Sequence, residues 1–180
     1  MSAEGEHVSM KRPWENHPFH ADFITPGSLE HTLRQPHTLD SLKGMLLARI
    51  PPQEHEFFET VLSFGTIMHE GQKRKDGIID YFHHPLGAAI RIAHLEIPDS
   101  REKKRIITAA LLHDTDEDYI PKPGEEGFQK RFKNHFARLQ KDDPDLFIQI
   151  YDDIQTMNKH RAKKNTYLSV IKQNGLAPVK

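Results

Sequence analysis

The octet Leu111-Leu112-His113-Asp114-Thr115-Asp116-Glu117-Asp118 places one histidine and four carboxylates directly after the apolar run Ile106-Ile107-Thr108-Ala109-Ala110. Imidazole and carboxylate are the donors of divalent-cation sites. On one continuous helix of about 100° per residue, His113, Asp114, Glu117 and Asp118 fall within an arc of roughly 140° that also holds Ile106, Ile107 and Ala110. A core-facing apolar stripe then turns acidic at its end, and clustered carboxylates there are costly unless compensated. A bound divalent cation is the simplest compensation, and a frayed, solvated helix end is the alternative. Asp116 falls outside the arc and is expected at the surface.

A second candidate ligand lies upstream in Tyr81-Phe82-His83-His84-Pro85-Leu86. Pro85 suits the first position of a helix, which leaves His84 at its cap on a restrained backbone. The segment it opens, Leu86-Gly87-Ala88-Ala89-Ile90-Arg91-Ile92-Ala93, is largely apolar and expected to be buried. That burial would carry His84 inward. Taken singly, His84 and His113 each read more simply as structural or surface residues.

The elements that must position these residues are helical. Ser100 is a candidate N-cap for the helix that ends in the acidic octet. Phe57, Phe58, Val61, Leu62, Phe64 and Met68 fit one face of a helix within residues 55–74, with Gly65 permitting close packing. His69 shares that face and reads as a core histidine or one that supports a ligand. Thr38 to Ile50 reads as a short helix stopped by Pro51 and Pro52. Residues 119–126, with Pro121, Pro123 and Gly124, read as a loop beside the acidic cluster. Phe128, Phe132, Phe136 and Leu139 recur at helical spacing and read as core, while Lys130, Arg131 and Lys133 read as a solvated face able to steer an anion. Pro144 opens a helix through Leu146, Phe147, Ile150, Ile154 and Met157, and Asn174-Gly175 caps a final one. No stretch alternates with period two. The expected fold is an all-α bundle of six or seven helices spanning residues 41–180, preceded by an extended or partly ordered N-terminal arm over residues 1–40, where Pro13, Pro18, Pro26 and Pro36 stand among polar residues. His17-Pro18-Phe19-His20 in that arm resembles a metal clip but lacks a nearby carboxylate and reads as tail.

Taken together the segments are more specific than any one of them. His69-Glu70-Gly71-Gln72-Lys73-Arg74-Lys75-Asp76-Gly77, Tyr81-Phe82-His83-His84-Pro85, Ala109-Ala110-Leu111-Leu112-His113-Asp114 and Glu117-Asp118 occur in this order. The series resembles the HD-domain phosphohydrolases, and among them the hydrolase domain of the RelA/SpoT alarmone enzymes and their small stand-alone relatives, over about residues 55 to 180. The resemblance implies an HD-domain helical bundle with metal ligands His84, His113 and Asp114. It implies that Glu117 and Asp118 position and activate the attacking water, and that Arg74 and Lys75 line a nucleotide pocket. For Arg74 and Lys75 a solvated basic turn is an equal alternative. The metal implied is manganese, although imidazole and carboxylate ligands suit iron or zinc as well. The implied reaction is removal of the 3'-pyrophosphate from guanosine tetra- or pentaphosphate. An HD module of weak or no activity that binds a nucleotide or a protein is the reading from another class.

Three departures bear on that reading. Ile78-Ile79-Asp80 separates Gly77 from Tyr81 where the family usually has two residues, which reshapes the pocket rim. Thr115 and Asp116 replace apolar residues. The run from Asn165 to Lys180 resembles the family's Y-L-x-x-I helix and the start of the next, but the aspartate that serves as fourth ligand and the nucleotide-contacting asparagine are not in the sequence. Either the chain is a fragment of a longer product, or that part of the site is lost. Three protein ligands can still hold a metal. Asp152 or Asp153 is a substitute carboxylate, though both read more simply as exposed helix residues, and a partner chain is another source.

Composition sets outer bounds. With 180 residues, 36% hydrophobic and 28% charged, the chain supports one sizeable core. It has no cysteine, which removes disulfides, thiolate metal sites and cysteine nucleophiles. A formal net charge of −1 argues neither for nor against an anionic ligand, while the absence of a large basic face argues against double-stranded nucleic acid as a partner and leaves a phosphorylated small molecule open. No transmembrane-length apolar run and no signal-peptide pattern is present, so a cytoplasmic location is expected.

Overall fold

A computed structural model describes residues 27–74, 77–121 and 123–158. The chain divides into two compact units, Met1–His37 and Thr38–Lys180. The described part of the first carries a single turn of helix, α1 (Leu29–Leu33), whose N-cap Ser28 accepts a hydrogen bond from the His31 amide. The second carries α2 (Leu39–Leu47), a 3-10 turn (Pro52–Glu54), α3 (His55–Met68), α4 (His83–Ala93), α5 (Ser100–Leu112), α6 (Thr115–Asp118), α7 (Phe128–His135), α8 (Leu139–Asp142) and α9 (Pro144–Met157). Among the described residues there is no strand, only an isolated bridge between Lys73 and Asp80. The fold is all-α, and none of the described helices is long and apolar enough to cross a membrane. The helical segments outnumber the six or seven expected because α1, α6 and α8 are single turns of four or five residues.

Capping sets the starts of the long helices. Thr38 caps α2 by accepting from the Ser41 amide, Asp99 caps α5 through the Glu102 amide, and Asp143 caps α9 through the Leu146 amide. The α5 cap is thus Asp99, one residue before the expected Ser100. Asp143 also takes a two-pronged hydrogen bond from Arg101, which ties the start of α9 to α5.

Helix α5 is the central element, flanked by α4 and α9 and crossed by α3. Ile107, Leu111 and Leu112 of α5 are fully buried, as are Leu86 and Ile90 of α4 and Ile150 and Ile154 of α9. A separate aromatic cluster joins α3, α7 and α9. Phe64 meets Phe132 and Phe136 at ring-centre distances of 6.0 and 5.1 Å, and Phe136 meets Phe147 at 5.3 Å. Gly65 makes room for Phe82, since a Cβ on it would lie 2.4 Å from that ring. Through this close approach α3 fixes the segment that leads into α4.

Candidate metal centre

Helix α4 begins two residues earlier than the proline suggested. Its N-cap is Phe82, so His84 is the second helical residue and Pro85 the third. A proline costs nothing there, because amides of the first turn have no partner within the helix. Helix α5 ends at Leu112 with His113 as its C-cap, and α6 starts afresh at Thr115 with Asp114 as N-cap. The continuous helix assumed from sequence is therefore broken between the histidine and the acidic run.

The break brings together the three residues matched to metal ligands. One donor atom each from His84, His113 and Asp114 lies within 4.8 Å of the others. Asp114 Oδ2 is 3.1 Å from His113 Nε2 and 3.7 Å from His84 Nε2. For metal–ligand bonds of about 2.1 Å, neighbouring donors stand about 3.0 to 3.4 Å apart, so these separations suit one ion with little adjustment. Asp114 is buried, its side chain 6% exposed, whereas His84 is 48% exposed and leaves one side open to solvent.

Half-buried His113 and buried Asp114 are each oriented from behind. His113 Nδ1 is 2.9 Å from the Ala110 carbonyl, which can only accept, so Nδ1 donates and Nε2 is the atom turned to Asp114, donating to it when the ring is protonated and offering its lone pair to a cation when the ring is neutral. The Tyr81 hydroxyl donates to Asp114 Oδ2 at 3.0 Å. Burial pushes the Asp114 carboxyl up, but the hydrogen bond and charge of His113, the Tyr81 hydroxyl and the charge of His84 outweigh it and hold it at about 2. Burial, then the Asp114 charge, pushes the Tyr81 hydroxyl up, which keeps it a donor. Two imidazole nitrogens and a carboxylate oxygen that converge in this way form a donor set that fits a divalent cation.

Glu117 and Asp118 follow on α6, both half-buried, and neither belongs to the three-residue cluster. Asp118 Oδ2 is buried with no hydrogen-bond partner among the described residues, and its residue lines a cavity of about 400 Å³ with Gln72, Tyr119 and Arg131. Arg131, expected on a solvated face, is half-buried and lies over the Tyr119 ring at 5.0 Å. Arg74 is exposed on the loop before α4, where its amide bonds to the Ile79 carbonyl at 2.8 Å. Lys73 pairs with Asp80 across that loop and Ile78 at its tip is 80% exposed. Lys75, the His17 to His20 segment and the final helix with its Asn174-Gly175 cap lie outside the described residues.

Two substitutes considered for a fourth ligand are elsewhere. Asp153 is paired with Arg105 between α5 and α9, and Asp152 is exposed on α9. Asp116 is not a surface residue. It is half-buried, and its Oδ2 accepts from Gln155 Nε2 at 2.9 Å and Asn158 Nδ2 at 2.7 Å, which clamps α6 to the end of α9. The helix break is the reason, since α6 has a phase of its own. Sequence reasoning missed the roles of Tyr81, whose hydroxyl donates to Asp114, and of Gln72, whose side chain donates to the Asp118 carbonyl, although both stand in the ordered motifs.

The HD domain matches residues 81–171, about half of the chain. The chain belongs to the HD-domain family. HD domains are generally metal-dependent phosphohydrolases, which agrees with the donor set found at the ends of α4 and α5. No curated protein and no solved structure matches the chain.

Proposed function

We propose that this HD domain hydrolyses a phosphoester or phosphoanhydride, with removal of the 3'-pyrophosphate from guanosine tetra- or pentaphosphate as the reaction to test first. The observation that carries the hydrolytic part is the convergence of His84, His113 and Asp114, with Tyr81 and the Ala110 carbonyl holding the donors in place. The choice of substrate is supported by the four ordered motifs.

When bound to these three residues, a divalent cation supplies Lewis acidity toward a phosphoryl oxygen and lowers the pKa of an attacking water. Manganese is the ion to try before iron or zinc. Asp114 stays ionised throughout the working pH range, and Tyr81 keeps its carboxylate turned toward the histidines. Glu117 or Asp118 takes the proton of the water as its oxygen bonds to phosphorus, and the proton passes on to the 3' oxygen as the bond between that oxygen and phosphorus breaks. Arg74 and Lys75 meet the phosphates or the base at the rim.

A different phosphate ester is the second reading. It is favoured by the loop from Lys73 to Asp80, which is pinned by the Lys73–Asp80 pair and presents Ile78 to solvent where the motif led to expect a shorter basic rim. Both readings are decided in one assay, in which the chain is incubated with guanosine tetraphosphate with and without manganese and pyrophosphate release is measured beside a His113→Ala control. Manganese-dependent release that the substitution abolishes supports the alarmone reading. Absence of release together with turnover of another phosphoester favours the second, and no turnover of any phosphoester by folded, metal-loaded protein overturns both and leaves a binding module.

A further inference from the structure

His69 follows α3 as its C-cap and is 97% shielded from solvent, at 3% exposure. Its ring stacks on Tyr81 at 5.1 Å and on Phe82 at 5.9 Å. Gly71, at φ 76°, turns the chain so that Gln72 folds back over it. The Gln72 side chain then bridges two partners, His69 Nδ1 at 2.8 Å and the Asp118 carbonyl at 3.2 Å.

The hydrogen bonds of this bridge run in one direction. The Asp118 carbonyl can only accept, so Gln72 Nε2 donates to it. Gln72 Oε1 therefore faces His69, and His69 Nδ1 must carry the proton. Burial pushes the His69 imidazole below its ordinary value, against the Gln72 bond and the charges of Asp118 and Asp114, so the ring is neutral with its lone pair on Nε2. Beside this bridge His69 Nε2 and Asp118 Oδ2 are buried, with no hydrogen-bond partner among the described residues. Helix α6 is a single turn, too short to hold its own end in place. The bridge from Gln72 is what restrains that end from the α3 side, as Asp116 restrains it from the α9 side.

Resting on the hydrolase reading above, we propose that His69 is a positioning residue of the hydrolytic site, acting through Gln72 to hold Asp118 where it can take a proton from the attacking water. A histidine that served only as core would act through its stacked ring. The two roles separate on substitution, because His69→Phe keeps a ring between Tyr81 and Phe82 and removes the hydrogen bond, whereas Gln72→Ala removes the bridge and leaves the ring untouched.

The full chain is assayed with manganese and a phosphoester that the wild type turns over, and manganese affinity is measured alongside. Each single substitution is expected to lower kcat about tenfold or more, with KM and manganese affinity within about twofold of wild type. The double substitution is expected to lose no more than the worse single one, because both break the same bridge. Wild-type kcat in Gln72→Ala, losses that multiply in the double variant, or a loss of manganese affinity equal to that of turnover overturns the proposal. Amide hydrogen exchange gives a second reading that does not depend on turnover. The Asp118 amide bonds to the Asp114 carbonyl at 2.9 Å, and Gln72→Ala is expected to speed its exchange while α3 and α5 stay protected. A chain inert toward every phosphoester contradicts the hydrolase reading and with it the catalytic purpose of the bridge. Unchanged exchange at Asp118 contradicts the bridge itself.

Discussion

The phenylalanine cluster of α3, α7 and α9 is closed to solvent and the histidine–carboxylate corner at the start of α4 and the end of α5 is open on its His84 side, and the two are built on opposite terms. In the cluster, Phe64, Phe132, Phe136 and Phe147 satisfy one another and need nothing else. In the corner, Asp114 and His113 are held from behind by the Tyr81 hydroxyl and the Ala110 carbonyl, and their donor atoms converge with that of His84 toward one point. Ligand binding belongs to the region whose polar groups are oriented but not mutually satisfied. Stability belongs to the region that is complete.

If that division is right, substitutions in the two regions should register in different measurements. Phe136→Ala, at a fully buried ring, is expected to cost about 3–5 kcal/mol of stability while the folded fraction binds manganese as the wild type does, read from denaturant unfolding and metal titration of the same samples. Equal loss of metal affinity would show that the regions are not separate. Gly65→Ala should blur the line. Its Cβ would strike Phe82, with an expected cost of about 1–3 kcal/mol, and because Phe82 precedes His83-His84 at the start of α4 the metal affinity should fall as well.

Tyr81→Phe keeps the ring and removes the donor to Asp114, so about tenfold weaker manganese binding is expected with little change in thermal midpoint. A large stability loss with unchanged metal affinity would make Tyr81 a core residue and nothing more. The smallest effect is one of pH. His69 is pushed by burial below its ordinary value of 6.5, so below pH 6.5 the unfolded chain binds a proton that the folded chain does not. The stability this residue contributes is complete above pH 6.5 and declines as pH falls below it. The decline should be steeper in wild type than in His69→Phe when chemical denaturation is compared between pH 7 and 5.

The two regions also differ in how much of each could be read from the chain. Periodic apolar residues revealed α3, α5 and α9, because burying one face forces that spacing; every residue expected on the α3 face, from Phe57 to Met68, is buried. The three clustered donors were legible through the ordered motifs. The break between His113 and Asp114 was not, since no glycine or proline marks it and α6 resumes at once. That break moved Asp116 from the expected surface into its clamp on Gln155 and Asn158. Tyr81 and Gln72 act on Asp114 and Asp118, partners 33 and 46 residues away, and local pattern carries no signal over such separations.

The most direct test of the account is manganese binding itself, followed by calorimetry at neutral pH on the wild type, His113→Ala and Asp114→Asn, with folding of each checked by circular dichroism. The account predicts one ion per chain for the wild type and binding weakened at least about tenfold in both variants while their helical content is unchanged. Failure of the folded wild type to bind the ion, or undiminished binding in both variants, would contradict it.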